Sequence, residues 1–337
     1  MSAIHPLIAD QVSRSFGATA AVESASLTLE PGEITALIGH SGSGKTTFLR
    51  LLAGMERPDR GHILSGETVL ASDTQHVPIE KRNIGLVFQD FALFPHMTTL
   101  ENVMFGLRSQ AKPERIKIAE KWLDRLGLTS RRDAYPHHLS GGEQQRTAIA
   151  RALAPNPVAI LLDEPFSGLD PSMRDRVREA ALSAVRDAGM PALLVTHDAS
   201  EALVHADSIA VIDRGQILQT GTPETLYHQP QKLEVAQALG PVHSINLEAL
   251  PGQWRAAIGS TTGTVHYRPE AIQLGTGEPV TVRGSKLAGA VTEVALALDE
   301  THTVYAACQP GTPLLPGDQI QATINPSLVF DFTPKMI

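Results

Sequence analysis

Gly39-His40-Ser41-Gly42-Ser43-Gly44-Lys45-Thr46 follows a short apolar run, Glu33 to Ile38, and opens a helix-like segment, Thr46 to Ala53, that stops at Gly54. A glycine-rich turn that leaves a buried strand and enters a helix commits its surroundings to a strand–loop–helix unit. The residue types suit an anion. Gly39, Gly42 and Gly44 let the backbone turn sharply and bring its N–H groups close to phosphate oxygens. The helix N-terminus adds a partial positive charge. Lys45 is placed for the β- and γ-phosphates of a nucleoside triphosphate, and the Thr46 hydroxyl for Mg²⁺. The competing reading, a glycine-rich turn without a ligand, is weakened by the flanking strand and helix.

Three further apolar runs end in polar residues. Val158 to Leu162 leads into Asp163-Glu164. A carboxylate at a strand tip beside the phosphate loop suits a Mg²⁺ ligand, which fits Asp163. Glu164 is then placed to polarise a water as general base. Ala192 to Val195 leads into Thr196-His197-Asp198, where His197 can bond a γ-phosphate oxygen and orient Glu164. Ile84 to Phe88 ends at Gln89, whose amide can reach Mg²⁺ or the water. Taken alone, an Asp-Glu pair reads as surface charge and a strand-end His as a polar cap. The preceding apolar runs favour the functional reading.

Leu139-Ser140-Gly141-Gly142-Glu143-Gln144-Gln145-Arg146 narrows the choice of machine. Ser140 with Glu143 three residues on is a capping box, so a helix starts there and runs to the stop at Pro155-Asn156-Pro157. Two glycines in a first helical turn cost about 1 kcal/mol each relative to Ala. A purely structural helix start gains nothing from them, whereas free N–H groups at a positive helix end suit a phosphate.

Together these motifs resemble the nucleotide-binding subunit of an ATP-binding cassette (ABC) transporter, over roughly residues 5 to 235. The octapeptide matches the family signature, Ile160 to Pro165 Walker B, Ser167-Gly168-Leu169-Asp170 the D-loop, Val195 to Asp198 the H-loop and Gln89 the Q-loop. The resemblance implies an α/β fold: a P-loop NTPase (RecA-like) core with antiparallel β and helical subdomains. It implies ATP and Mg²⁺ as cofactors. Phe16 stands where an aromatic stacks on adenine, although the family more often has Tyr. Gly39, His40, Ser41, Gly42, Ser43, Gly44, Lys45, Thr46 and Thr47 contact the nucleotide, with His40 at a variable position. Ser140, Gly141, Gly142 and Asp170 contact the nucleotide of a second copy. Thr46, Gln89 and Asp163 hold Mg²⁺, and Glu164, His197 and Gln89 are catalytic. Two copies then close head to tail on two ATP molecules and move two transmembrane permease subunits, with a solute-binding protein as an indirect partner.

Length and hydrophobic content, 337 residues and 42%, allow two domains with separate cores. We place the boundary at 238/239, with a helical subdomain over about 90–155. Phe91 to Met97, which enters that subdomain, is apolar for a stretch broken by Pro; the resemblance implies a groove for coupling helices, against the plain reading of a buried loop. Beyond Gly240-Pro241, the runs Thr264 to Leu274, Leu287 to Leu298, Thr303 to Cys308 and Gln319 to Ile324 are β-rich and separated by Gly/Pro turns. They predict a small all-β, barrel-like second domain resembling the TOBE module of bacterial import ATPases. Tyr267 to Ile272 carries that likeness.

A net charge of −8 without a basic stripe disfavours nucleic acid. A single cysteine, Cys308, fits a reducing compartment. No run approaches the roughly 20 apolar residues of a membrane span, so the pore is expected on another polypeptide. The expected location is the cytoplasmic face of the bacterial inner membrane. A TOBE-like end points to an importer, and the runs Tyr135 to Leu139, Arg151 to Pro157 and Gly215 to Gly221 look most like ferric-iron importers. Polyamine, sulfate, molybdate, thiamine and sugar importers share much of this pattern. His243, His266 and His302 match no metal-ligand spacing. A soluble ABC ATPase of DNA repair or translation is the rival class. Its usual long insertion is absent between Gln89 and Ser140.

Overall fold

The computed structural model describes residues 4–167, 171–259, 263–311 and 314–332. The chain divides into two compact units, Met1–Pro223 and Glu224–Ile337. The expected boundary at 238/239 lies fifteen residues later (238 − 223). Arg268 accounts for the difference: its guanidinium donates to the carbonyls of Tyr227 and Ala236 and lies over the Tyr227 ring, which ties residues 224–238 to the second unit.

In the first unit the described elements, in chain order, are β1 (Leu7–Phe16), β2 (Thr19–Leu29), β3 (Ile34–Ile38), α1 (Lys45–Ala53), β4 (Arg60–Ser65), β5 (Thr68–Ala71), α2 (Ile79–Arg82), β6 (Ile84–Val87), α3 (Thr99–Met104), α4 (Lys112–Arg125), α5 (Gly141–Leu153), β7 (Ala159–Asp163), α6 (Pro171–Ala188), β8 (Ala192–Val195), α7 (Ala199–His205), β9 (Ser208–Asp213) and β10 (Gln216–Gly221). An antiparallel sheet runs β2-β1-β4-β5. A larger one runs β10-β9-β3-β8-β7-β6, parallel except for β10. Its middle strands β3 and β8 are buried along their whole length, as strands covered on both faces must be. One apolar core lies between this sheet, α1 and the antiparallel sheet; a second joins it to α3, α4, α5 and α6. The strand bearing Asp163, β7, is not the direct neighbour of β3, because β8 lies between them. The end of β8 is therefore flanked by both the phosphate loop and Asp163.

The segment from Pro223 is helical in two pieces, α8 (Pro223–His228) and α9 (Leu233–Ala238), with the break falling at Gln229-Pro230 as the sequence implies. The second unit continues with β11 (His243–Asn246), α10 (Gly252–Ile258), β12 (Thr264–Tyr267), β13 (Ile272–Ala288), β14 (Val291–Ala297), β15 (Thr303–Cys308), β16 (Gln319–Ile324) and β17 (Val329–Phe330). Its sheets run β11-β12-β17 and β15-β14-β13-β16, the latter a curled half-barrel. The β-rich run Leu287 to Leu298 spans the hairpin between β13 and β14. Leu287 pairs with Thr292 across a turn at Gly289-Ala290. Trp254 plugs the core and donates its indole N–H to the Ala322 carbonyl.

Candidate nucleotide-binding and catalytic site

Leaving β3, the chain has room for little but glycine. A Cβ on Gly39 would lie 2.2 Å from the Ile212 carbonyl, and one on Gly44 2.4 Å from that of Ala21. Gly44 also has φ 107°, a left-handed conformation that admits glycine at little cost. The loop is pinned by two backbone bonds, Ser43 N–H to the His40 carbonyl and Gly215 N–H to the Ser43 carbonyl. Lys45 opens α1, and its ammonium donates to the carbonyls of Gly39 (2.7 Å) and His40 (3.1 Å). Burial lowers its pKa, against the raising influence of Glu164 and Asp163. A cleft of about 240 Å³ is lined by Thr19, Ala20, Ala21 and residues 42–47. Ser41, Gly42 and Thr46 are exposed there, and Thr47 is half-buried. Phe16, at the end of β1, is 47% exposed, with the Arg14 guanidinium 4.9 Å from its ring centroid.

The far end of α1 is held by Arg82. Its Nη1 donates to the carbonyls of Leu51 and Leu52, each at 2.9 Å, and its Nε to that of Val77. The Leu51 and Leu52 carbonyls lie in the last turn of the helix, at its negative end, where Leu51 also accepts from the Gly54 N–H. Burial pulls the guanidinium down to about 10.

Strand ends then deliver the acidic and imidazole groups. Asp163 closes β7, and burial together with the charge of Glu164 pushes its carboxyl up. Glu164 follows with φ 43°, and its N–H donates to the Val195 carbonyl of the neighbouring strand. That bond holds the chain at Glu164 beside the end of β8, two residues before His197. His197 Nδ1 lies 3.0 Å from Glu164 Oε2. Gln89 is exposed beyond β6, and its amide donates to the Ser167 hydroxyl at 3.3 Å, which donates in turn to the Glu164 carbonyl at 3.0 Å. The structure thus brings Lys45, Asp163, Glu164, His197 and Gln89 to one end of the parallel sheet. Oxygen donors alone, Asp163, Thr46 and the Gln89 amide, suit a hard cation that keeps waters and phosphate oxygens in its shell.

The signature segment forms a separate helix start. Ser140 caps α5 with a reciprocal box: Glu143 Oε2 accepts from the Ser140 N–H at 2.8 Å and from its hydroxyl at 3.0 Å. Arg131 Nε donates to the other Glu143 oxygen at 2.8 Å. Burial would raise the Glu143 pKa, but the bonds from Ser140 and Arg131 outweigh it and the carboxyl is held low. Ser140 and Gly141 are exposed and Gly142 is buried. Asp170 lies outside the described residues.

The family model for ABC transporters matches residues 22–167. A "Fe(3+) ions import ATP-binding protein" of Rhizobium etli is 43% identical over 260 residues, covering 77% of this chain and 72% of that protein. The chain belongs to the ABC transporter family. A second such protein, from Pectobacterium atrosepticum, is 37% identical over 94% of this chain and 96% of its own length. One from Haemophilus influenzae is 45% identical over 64% of this chain, but the match spans only 61% of that protein. The ATP-binding cassette MJ0796, solved as a dimer in a post-hydrolysis state with ADP and Pi, aligns with a TM-score of 0.57 at 29% identity. It covers 64% of this chain and 98% of that one.

Within this ABC cassette the entry to the helical subdomain is stitched by residues that carry no motif. Asn102, fully buried on α3, accepts from the Phe94 N–H and donates to the carbonyls of Phe94, Met97 and Thr98. Arg151 on α5 donates to the carbonyls of Phe91 and Ala92, both of which have positive φ. The loop borders a groove of about 420 Å³ that includes Phe88, Phe94, Phe105, Pro155 and Pro157. The apolar sequence Phe91 to Met97 is thus neither a plain buried loop nor fully exposed. Among the described residues no helix is long and apolar enough to cross a membrane, and no cluster of three metal-ligating side chains occurs.

Proposed function

We propose that this chain is the ATP-hydrolysing subunit of a bacterial importer, with ferric iron as the solute. The observation that carries the catalytic part is the convergence of Lys45, Asp163, Glu164 and His197 at one end of the parallel sheet. Lys45 would release its two carbonyl partners to bond the β- and γ-phosphates. Asp163 and Thr46 would hold Mg²⁺, with Gln89 beside them. The cation would supply charge neutralisation on the phosphoryl oxygens. Glu164 would take a proton from the attacking water, and His197, already within hydrogen-bond distance, would keep that carboxylate aimed.

Ser140 and Gly142 start a helix on the helical subdomain, apart from the loop carrying Lys45. They would serve the nucleotide of a second copy, so that two chains close head to tail around two ATP molecules. The dimeric state of the MJ0796 cassette supports this arrangement. The groove beside Phe94 and Phe105 would receive the permease subunits at the cytoplasmic face of the inner membrane, with a solute-binding protein on the far side. The iron assignment is supported by the names of the relatives in Rhizobium, Pectobacterium and Haemophilus.

Two measurements test the reading. Glu164→Gln should bind ATP, lose turnover by roughly 100-fold or more, and run as a dimer with Mg²⁺-ATP in size-exclusion chromatography. A variant that stays monomeric removes the head-to-tail dimer. Cells lacking the gene should lose uptake of radioactive ferric iron, restored by the wild-type chain and not by Glu164→Gln. Intact iron uptake with loss of another solute, such as a polyamine, would overturn iron and leave the ATPase standing.

A further inference from the structure

A partly open cavity of about 130 Å³ extends from the Glu164–His197 contact to residues for which the proposed chemistry has no role. It is lined by Arg174 and Arg178 on α6 and by Thr196, Asp198 and Glu201 around the start of α7, in addition to Glu164 and His197. Glu201 is a 5%-exposed carboxylate, and Arg178 Nη1 stands 3.7 Å from its Oε1, with side-chain exposures of 12% and 6%. Arg178 also pairs with Asp175 on its own helix. The Thr196 hydroxyl accepts from the Asp198 N–H, and Glu201 Oε1, the atom facing Arg178, has no hydrogen bond. Asp198 caps α7 through the N–H groups of Ser200 and Glu201. His197 therefore sits between two residues whose side chains are both engaged in anchoring α7.

We propose that the buried Arg178–Glu201 pair positions His197 for the Glu164 carboxylate, joining the helix that follows residues 168–170 to the helix that follows the imidazole. Both charges are needed for this. A buried carboxylate left without its partner is strongly unfavourable, and the helix carrying it must then shift or the group must protonate. Burial already raises the Glu201 pKa, with the Thr196 hydroxyl and Arg178 opposing. A displacement of His197 by about 1 Å is enough to lower a rate by roughly 100-fold. Neither residue reaches the nucleotide loop, so the effect belongs to turnover and not to ATP affinity.

The inference rests on the ATP-hydrolysis reading, and a double-mutant cycle separates the two. The full chain, its Glu201→Gln and His197→Ala variants and the double variant are compared for kcat and KM of ATP hydrolysis and for affinity toward a fluorescent ATP analogue. Glu201→Gln should lower kcat about 10-fold or more with KM and analogue affinity within about twofold of wild type. In the His197→Ala background it should add no further loss, because the group it positions is gone. Multiplying losses, an unchanged kcat, or a loss of analogue binding would overturn the proposal. A wild-type chain without ATP hydrolysis would overturn the hydrolysis reading, and this inference with it. Should Glu201→Gln fold poorly, Arg178→Met, which removes the partner charge and keeps an apolar stem, reads the same cycle.

Discussion

His197 Nδ1 and Glu164 Oε2 lie 3.0 Å apart, and they meet because β7 and β8 are adjacent parallel strands that end level with each other. The Glu164 N–H bond to the Val195 carbonyl fixes that level from the backbone side. The imidazole is thus a partner of the carboxylate before it is a partner of anything else. His197→Ala should lower kcat for ATP by about 100-fold while KM changes little. Steady-state ATPase assays on the purified chain check this, and a rise in KM with constant kcat would place His197 in nucleotide binding alone.

Ser140 is the exposed N-cap of α5, and its own carboxylate partner is Glu143. Placing a long cation there should block approach of a second copy without touching the loop of Lys45. Ser140→Arg should bind the ATP analogue as wild type does. Combined with Glu164→Gln, it should prevent the nucleotide-dependent dimer seen by light scattering. Loss of nucleotide affinity by the single chain would contradict the division of the site between copies.

Glu143 supplies a pH-dependent term. Its folded-state pKa is depressed below the ordinary 4.5 by the bonds from Ser140 and Arg131, which overcome burial. The folded chain therefore binds that proton less readily than the unfolded chain. The resulting stabilisation is complete above the unfolded value and is lost as pH falls through the folded one. Glu143→Gln should flatten the decline in stability below about pH 4.5 and reduce stability near neutrality. Denaturant melts followed across pH 3 to 7 measure both arms.

Arg82 satisfies the carbonyls at the C-terminal end of α1 without any carboxylate nearby among the bonds it makes. Arg82→Met should destabilise the first unit by roughly 1–3 kcal/mol, since the Leu52 carbonyl loses its donor while that of Leu51 keeps the Gly54 N–H. Gly54 would not tolerate a Cβ against this guanidinium, which lies 2.4 Å from the ideal position. Urea unfolding should shift the transition of the first unit and leave that of the second in place.

The phosphate loop and the polar strand ends were legible in the sequence because each is local: a run of apolar residues, then a short motif. The Ser140 capping box was legible for the same reason, and α5 starts and stops where Ser140 and Pro155 imply. The residues that hold these pieces were not. Arg82 acts on carbonyls thirty residues away, and Asn102 closes a loop around itself with no spacing that distinguishes it from any helical Asn. Glu201 reads as an ordinary first-turn carboxylate until α6 is packed against it. The hairpin inside Leu287 to Leu298 turns at Gly289-Ala290, which lacks the Asn-Gly or Asp-Gly pair that marks such corners. The insertion of β8 between β3 and β7 is a property of strand order, to which no residue type points.

Position 164 leaves β7 with φ 43°, a conformation that costs an L-residue on the order of 1 kcal/mol and a β-branched one more. Libraries at this site will therefore report two things at once. Gln probes the missing carboxylate alone, Asn also shortens the side chain and eases the left-handed backbone, Gly relaxes the backbone while deleting the side chain, and Val or Ile add a folding defect to a chemical one. A tolerated substitution at 164 is informative about mechanism only after its effect on the main chain has been subtracted.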